Sequence, residues 1–427
     1  MMDTESIKEY QIKKYILSVE KVEHFLNLYP EFKNLKYSLL WATFDSVSRK
    51  FLYRKKKKNL FSINLKIKDP KGPFFLSFGN LPSSIRDKFF EKKINNITIK
   101  ITNSPFGFFD GQNLVYSRIG RFPISIKIVD RGYEMENLYK DIVQDNYYDL
   151  ERFNKLLQKY FSKNLPLFVL VDEDRTKFKQ ILVEYFKMQG VKTFVFQHGI
   201  TPISESGLPM IKESFAPLNA DFFVCWGNAS YLYLKNFIPE NRIIIGGNPD
   251  FEINCDKTER DIDLLLIDQQ FIGFEEEFEY VYKKIAEMLE GLKINYKVYL
   301  RNEYNFHFLK KIFSESKLIR WKKGKIKEFI GRSKIITGFY STALLEAMFF
   351  CKPVMVIDFL NRGDFLGLTK SGMAEIVSDE DDFIRLYKRF SEKSFDKDYV
   401  GNRLKFFVEH FGETSSNFIV EKILERL

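Results

Sequence analysis

A succession of short, wholly apolar runs, each breaking off in a polar cluster, limits what this chain can become. Leu165 to Val171 ends in Asp172-Glu-Asp-Arg175, and Val191 to Phe196 ends in Gln197-His198-Gly199. Ile262 to Ile267 ends in Asp268-Gln269-Gln270, and Tyr296 to Leu300 in Arg301-Asn-Glu303. Runs that are apolar on both faces are strands of a parallel sheet covered by helices on each side. Helical patterns separate them, over Thr176 to Gln189, closed by Gly190, and over Glu275 to Gly291. The alternation predicts β–α–β units and an α/β chain. Ligands of such sheets bind at the carboxyl ends of the strands, where these polar clusters fall.

The most informative unit is Ile335 to Asp358. An apolar strand closes at Ile335-Ile336, a small polar turn follows over Gly338 to Thr342, and Leu344 to Phe350 reads as a helix. Pro353 to Asp358 is the next buried strand. Ser341 or Thr342 is expected to be the N-cap. The unpaired N–H groups of a first helical turn, with two hydroxyls, form a phosphate site. Glu346 lies about one turn deeper and suits the hydroxyls of a sugar or ribose. The plain alternative is a Ser/Thr that only caps its helix and a solvated Glu346.

At 427 residues the chain is too long for one core. Gly246-Gly-Asn-Pro249 is turn chemistry and a natural hinge. It divides the chain into a first Rossmann-like domain, 1–250, with a helical and strand-rich N-terminal part, and a second, 251–427, with terminal helices. Within the first, residues 1–60 read as helical. Phe61 to Ile67, Ile97 to Ile101 and Ile124 to Ile128 alternate as half-buried strands. Gly107-Phe-Phe-Asp-Gly-Gln112 reads as a loop near the interdomain cleft. Ala220 to Trp226 and the run from Ile243 complete that sheet.

The net charge of +10 suits anionic ligands, nucleic acid or an acidic membrane without choosing among them. Aromatic–basic RNA-binding motifs are lacking, so no nucleic-acid partner is expected. The basic run Arg54 to Lys58 is either a solvated turn or a contact with anionic lipid headgroups. Cys225, Cys255 and Cys351 have no metal spacing and are odd in number. They read as reduced, which predicts a cytoplasmic protein, with the inner face of the cell membrane as a peripheral site. No apolar run of about 18 residues exists to span a bilayer, and the start MMDTESIKEYQIKK has no apolar core of a signal peptide.

Phe196-Gln-His198-Gly199, Cys225-Trp-Gly227, Gly246-Gly-Asn-Pro249 and Thr337-Gly-Phe-Tyr-Ser341-Thr342-Ala-Leu-Leu-Glu346-Ala, with Lys352-Pro353, together resemble bacterial GT-B glycosyltransferases of surface polysaccharide assembly. The nearest in flavour are capsule Kdo- and sialyltransferase-like enzymes and CDP-glycerol glycerophosphotransferases. The likeness covers about residues 165 to 360. It implies two Rossmann-like domains facing across a cleft, the first for the acceptor and the second for a nucleotide-sugar donor. It implies that His198 is catalytic and that Ser341 and Thr342 bind the donor's phosphate. It also implies a capsule- or lipopolysaccharide-like glycan, or a lipid-linked glycan, as acceptor. The family's His-Pro pair is absent: Arg301-Asn302-Glu303 stands there, with Arg301 as a bidentate cation for the diphosphate.

Glycosyl transfer needs a stabilised leaving phosphate, a base near the acceptor hydroxyl, and exclusion of water. An imidazole is the side chain whose ordinary proton exchange falls near neutral pH, so His198 suits the base. Asp172, Glu173 and Asp174 offer an alternative base or a nucleophile, though at least one is expected to cap the following helix. Ser341, Thr342, Tyr340, Glu346, Arg301, Gln270 and Asn248 make up the expected donor side. Asp172 and Asp174 spell Asp-x-Asp, but in the first domain, and neither HExxH nor CxxC occurs. The expected enzyme is metal-independent, with the nucleotide sugar as co-substrate and no further cofactor. A nucleotide-sugar epimerase of the same fold, which needs no acceptor, is the rival reading. A CDP-glycerol-type polyol-phosphate transferase and an inactive regulatory lobe are others.

Overall fold

The computed structural model describes residues 72–79, 81–102, 113–117, 150–151, 153–174, 177–203, 219–255, 260–269, 275–301, 303–320 and 326–427. The helix expected over 1–60, the basic run, the strands at 61–67 and 124–128, the loop at 107–112 and Gln270 lie outside the described residues.

The first lobe runs β1 (Phe74–Phe78), α1 (Ser83–Glu91), β2 (Asn95–Thr102), β3 (Asn113–Ser117), α2 (153–161), β4 (Phe168–Val171) and α3 (Lys177–Met188). It continues with β5 (Lys192–Phe196), β6 (Phe222–Cys225), α4 (Asn228–Leu234) and β7 (Ile243–Ile245). Its strands lie in the order β3-β2-β1-β4-β5-β6-β7 and pair in parallel throughout.

The second lobe runs β8 (Ile262–Ile267), α5 (Glu275–Gly291), β9 (Tyr296–Tyr299), α6 (Glu303–Leu309), β10 (Leu318–Ile319), α7 (Ile326–Arg332) and β11 (Ser333–Gly338). There follow α8 (Thr342–Phe349), β12 (Val354–Ile357), β13 (Ala374–Val377), α9 (Glu380–Ser391), α10 (Lys397–Leu404) and α11 (Gly412–Leu424). This sheet is also parallel, in the order β10-β9-β8-β11-β12-β13.

The apolar runs behave as their composition requires. Phe-Val-Leu-Val of β4 and Val-Met-Val-Ile of β12 are buried at every residue. Helices follow their end signals as well. Asp379 caps α9 by accepting from Asp382 N–H, acidic residues fill its first turn, and Lys388 and Arg389 stand in its last. Each complements the helix dipole. The α/β architecture of two parallel-sheet, Rossmann-like lobes is therefore the one the chain adopts.

Four features depart from the sequence reading or go beyond it. β1, a strand the sequence reading did not single out, has all five residues of Phe-Phe-Leu-Ser-Phe inside, because it lies between β2 and β4 rather than at an edge. The cysteines are not all reduced: Cys255 and Cys351, 5.2 Å apart at Cα, form a disulfide, leaving Cys225 as the free thiol. The pair ties the segment leaving the first lobe to the end of α8, where Asn254 N–H also donates to Phe349 O at 2.8 Å.

The last helix follows the second lobe in the chain but packs on the first. Glu409 N–H donates to Trp226 O at 2.8 Å and Asn248 N–H to His410 O at 2.9 Å. Ser415 Oγ donates to Gly246 O at 2.8 Å, and Ser416 Oγ to Ser84 Oγ at 2.9 Å. Gly247 (φ +83°) allows this approach, since a Cβ there would lie 1.9 Å from His410 O.

Finally, the lobes share one apolar core. It contains Phe194, Val224 and Trp226 from the first lobe with Leu265, Ile336 and Leu345 from the second. Phe251, just beyond the hinge, joins them: its ring is 5.3 Å from Trp226 and 4.7 Å from Phe349. Among the described residues, no helix is long and apolar enough to cross a membrane.

Candidate active site

β4 delivers its carboxyl end at Asp172, and β1 delivers its own at Gly79 beside it. Gly79 has φ +110°, and a Cβ there would lie 2.0 Å from Asp172 Oδ1. Only glycine leaves room for this carboxylate. Asp172 is buried and its Oδ1 lies 2.5 Å from Lys179 Nζ, in α3. The same ammonium holds Glu173 Oε1 at 3.0 Å. Asp174, 1% exposed, accepts from Asn219 and Ala220 N–H at 3.1 and 3.2 Å and so fastens the turn into β6. The Asp-x-Asp spelling therefore does not gather two carboxylates on one point. Asp174 is engaged with backbone rather than placed as a base.

His198 is the second residue after β5, and its side chain is about half exposed, at 46%. Nδ1 lies 3.0 Å from the carbonyl oxygen of Asp172. A carbonyl only accepts, so Nδ1 carries a proton, and in the neutral imidazole Nε2 holds the lone pair. Glu173 Oε2 lies 3.9 Å from Nε2. The preceding Gln197 is buried and fixes the turn: its Oε1 accepts from Trp226 N–H at 2.9 Å and its Nε2 donates to Gly199 O at 2.7 Å. The indole of Trp226 in turn donates to Gln197 O at 2.7 Å.

In the second lobe, Ser341 is the N-cap of α8, its hydroxyl accepting from Ala343 N–H at 3.2 Å. Thr342 is the first residue of that helix. Tyr340 does not face a ligand through its hydroxyl, which donates to Asp358 Oδ1 at 2.8 Å. Burial and that carboxylate hold its phenol well above the ordinary tyrosine range. Asp358 also accepts from Arg362 and Gly363 N–H, each at 2.7 Å, and shapes the turn after β12. Glu346 lies 3.3 Å from Lys327 Nζ; burial raises its pKa above the usual carboxylate range, with the ammonium opposing. Lys327 also donates to Asp250 O at 3.2 Å, so Glu346 belongs to a cluster near the hinge.

Arg301 stands exposed beyond β9, where its N–H donates to Asp268 Oδ2 at 3.3 Å. Asp268, read from the sequence only as part of a strand-end cluster, has a defined task here. It is 1% exposed and also accepts from Tyr282 OH at 2.5 Å and Asn305 Nδ2 at 2.6 Å. It thereby anchors the turn that carries Arg301. A lone carboxylate ending an apolar strand was the available signal. Asn248, expected on the donor side, is buried at the hinge, where its Oδ1 accepts from Asp250 N–H at 2.9 Å. That turn accounts for the residue without a ligand.

The two loops meet. Ile200 N–H, two residues after His198, donates to Thr342 Oγ1 at 3.0 Å. Farther along, Ile203 N–H donates to Phe365 O at 2.8 Å, and the Phe365 ring packs against Tyr340, tilted by 36°, with centroids 4.2 Å apart. The structure thus brings His198, Asp172 and Glu173 to the same interlobe seam as Ser341 and Thr342. A hollow of about 280 Å³ lies elsewhere, between α1, the segment after β7 and α11, and contains none of these residues.

No protein-family profile matches the chain. No curated protein matches its sequence. Solved structures do match in shape. The UDP-GlcNAc 2-epimerase of Methanocaldococcus jannaschii, in complex with UDP-GlcNAc and UDP, has a TM-score of 0.52 at 13% identity, covering 83% of this chain and 100% of that one. The UDP-GlcNAc 2-epimerase of Neisseria meningitidis, bound to UDP-GlcNAc, has a TM-score of 0.51 at 13% identity, over 83% and 100%. The glycotransferase of kitacinnamycin has a TM-score of 0.50 at 9% identity, over 84% and 100%. At such identities the likeness establishes the fold, a GT-B arrangement of two Rossmann-like lobes.

Proposed function

We propose that this chain is a glycosyltransferase. It moves a sugar from a nucleotide-activated donor, held by the second lobe, to a hydroxyl of a surface-glycan or lipid-linked acceptor at the first. One observation carries the reading: an imidazole held through Nδ1 by the Asp172 carbonyl stands at the seam where the Ile200 amide touches the first residue of α8.

In this reading His198 Nε2 takes the proton of the acceptor hydroxyl as its oxygen bonds to the anomeric carbon. The bond from that carbon to the donor's phosphate oxygen breaks, and the nucleotide leaves with the electron pair. Its charge develops against the first-turn amides of α8, the hydroxyl of Thr342 and the guanidinium of Arg301. Glu346 faces the donor's ribose or sugar hydroxyls. No cofactor enters beyond the nucleotide sugar. The UDP-GlcNAc and UDP bound by two proteins of this fold support a nucleotide-sugar ligand. The basic run at Arg54 to Lys58, against anionic lipid, suits a lipid-linked acceptor.

The test is product analysis with UDP-, CDP-, GDP- and TDP-linked sugars, with and without glycan acceptors. The expected result is acceptor-dependent transfer that His198→Ala abolishes while calorimetric nucleotide binding persists. An epimerised nucleotide sugar formed without acceptor would overturn the reading in favour of an epimerase.

A further inference from the structure

We infer that Thr342 positions the loop of His198: through its hydroxyl the donor lobe holds the turn that carries the imidazole. The inference rests on the reading of His198 as the base and adds a role that phosphate binding does not include.

The loop is fixed from two different sides. Up to Gly199 its own lobe holds it, through the reciprocal bonds of Gln197 and Trp226 and the bond from Gln197 Nε2 to Gly199 O. Beyond Gly199 the holding groups change lobe. Ile200 N–H donates to Thr342 Oγ1 at 3.0 Å, and Ile203 N–H to Phe365 O at 2.8 Å. The approach is close: a Cβ on Gly199 would sit 3.5 Å from Thr342 Oγ1, and one on Gly367 would sit 2.1 Å from Ile203 Cδ1. A turn pinned on one side by its own sheet and on the other by a second lobe keeps its shape only while the lobes are together.

A threonine hydroxyl has one proton to donate and two lone pairs. It can accept from Ile200 and at the same time donate to a phosphate oxygen. An anion that takes the proton polarises the oxygen and strengthens its bond to the amide. A bound donor therefore tightens the loop on which the base stands.

The experiment pairs Thr342→Val, which loses the hydroxyl at nearly constant shape, with Thr342→Ser, which keeps it. Hydrogen exchange across 197–203 is followed in the full chain without ligand, and kcat is separated from the donor KM. Thr342→Val is expected to exchange the Ile200 amide about fivefold faster, the factor for one lost hydrogen bond of about 1 kcal/mol. Its kcat is expected to fall about tenfold or more, and Thr342→Ser to restore both. Unchanged exchange and kcat in Thr342→Val, with His198→Ala inactive, would overturn this inference alone. An active His198→Ala would instead remove the reading beneath it. A rise in donor KM with exchange and kcat unchanged would leave Thr342 a phosphate ligand and overturn the positioning role.

Discussion

The imidazole of His198 is oriented by the main-chain carbonyl of Asp172, with Nδ1 3.0 Å from the oxygen, and not by the Asp172 carboxylate. That carboxylate faces the other way, onto Lys179 Nζ at 2.5 Å, in a setting almost closed to solvent. One residue thus serves two roles through two groups. Its backbone sets the tautomer of the base, and its side chain ties β4 to α3.

The two roles separate by mutation. Asp172→Asn leaves the carbonyl in place but strips Lys179 of a buried partner. Breaking a buried pair from one side costs about 3–5 kcal/mol, so a large drop in melting temperature is expected. The folded fraction should keep turnover within about tenfold of wild type, whereas His198→Ala should lose on the order of 10²-fold or more. Initial rates scaled to folded protein decide the matter. Equal loss of turnover in both variants would make the Asp172 carboxylate a chemical participant.

Gly79 leads to a second expectation. Its φ of +110° and the 2.0 Å approach of Asp172 Oδ1 leave no place for a side chain. Gly79→Ala must displace the carboxylate or the end of β1. A destabilisation of about 2 kcal/mol or more is expected from backbone strain and the disturbed ion pair. Urea unfolding of the variant measures it. A midpoint equal to wild type would mean that the strand end yields freely.

How far the sequence could be read depended on how local the cause was. α5 occupies Glu275–Gly291, the range its periodicity and closing glycine predict, because both signals lie within the helix. The Ser-Thr turn before α8 and the histidine after β5 were legible as strand ends in a parallel sheet. What escaped was set by neighbours distant in the chain. Tyr340 is committed to Asp358, which follows the adjacent strand. Asn248 is committed to a turn crossed by His410 and Phe411. Cys255 and Cys351 are 96 residues apart, and an odd count of three concealed their pairing. The burial of β1 came from its place between two other strands, which the alternating pattern around it did not disclose.

Ser341 separates helix capping from ligand binding. Its hydroxyl accepts from Ala343 N–H, as an N-cap does. Ser341→Ala should lower stability by about 1 kcal/mol. Chemical denaturation checks this before any donor is added. A variant as stable as wild type would mean that the cap contributes nothing and that the serine serves a ligand alone.

Lys352 ties stability to pH. It is 2% exposed, with Nζ donating to Gly331 O at 2.7 Å near the end of α7. Burial first, and then the positive charge of Arg260, push its pKa down to about 8 from an ordinary 10.5. Between those two values the unfolded chain holds a proton that the folded chain has released. Stability from this group therefore rises as pH rises through the window and is lowest below about 8. At full relief the gain is on the order of 3 kcal/mol. Lys352→Met cannot titrate, so the difference in unfolding free energy, wild type minus variant, should grow from pH 7 to pH 10. Urea titrations of both proteins at several values across that range give the slope. Parallel curves would mean that the buried amine keeps its proton throughout.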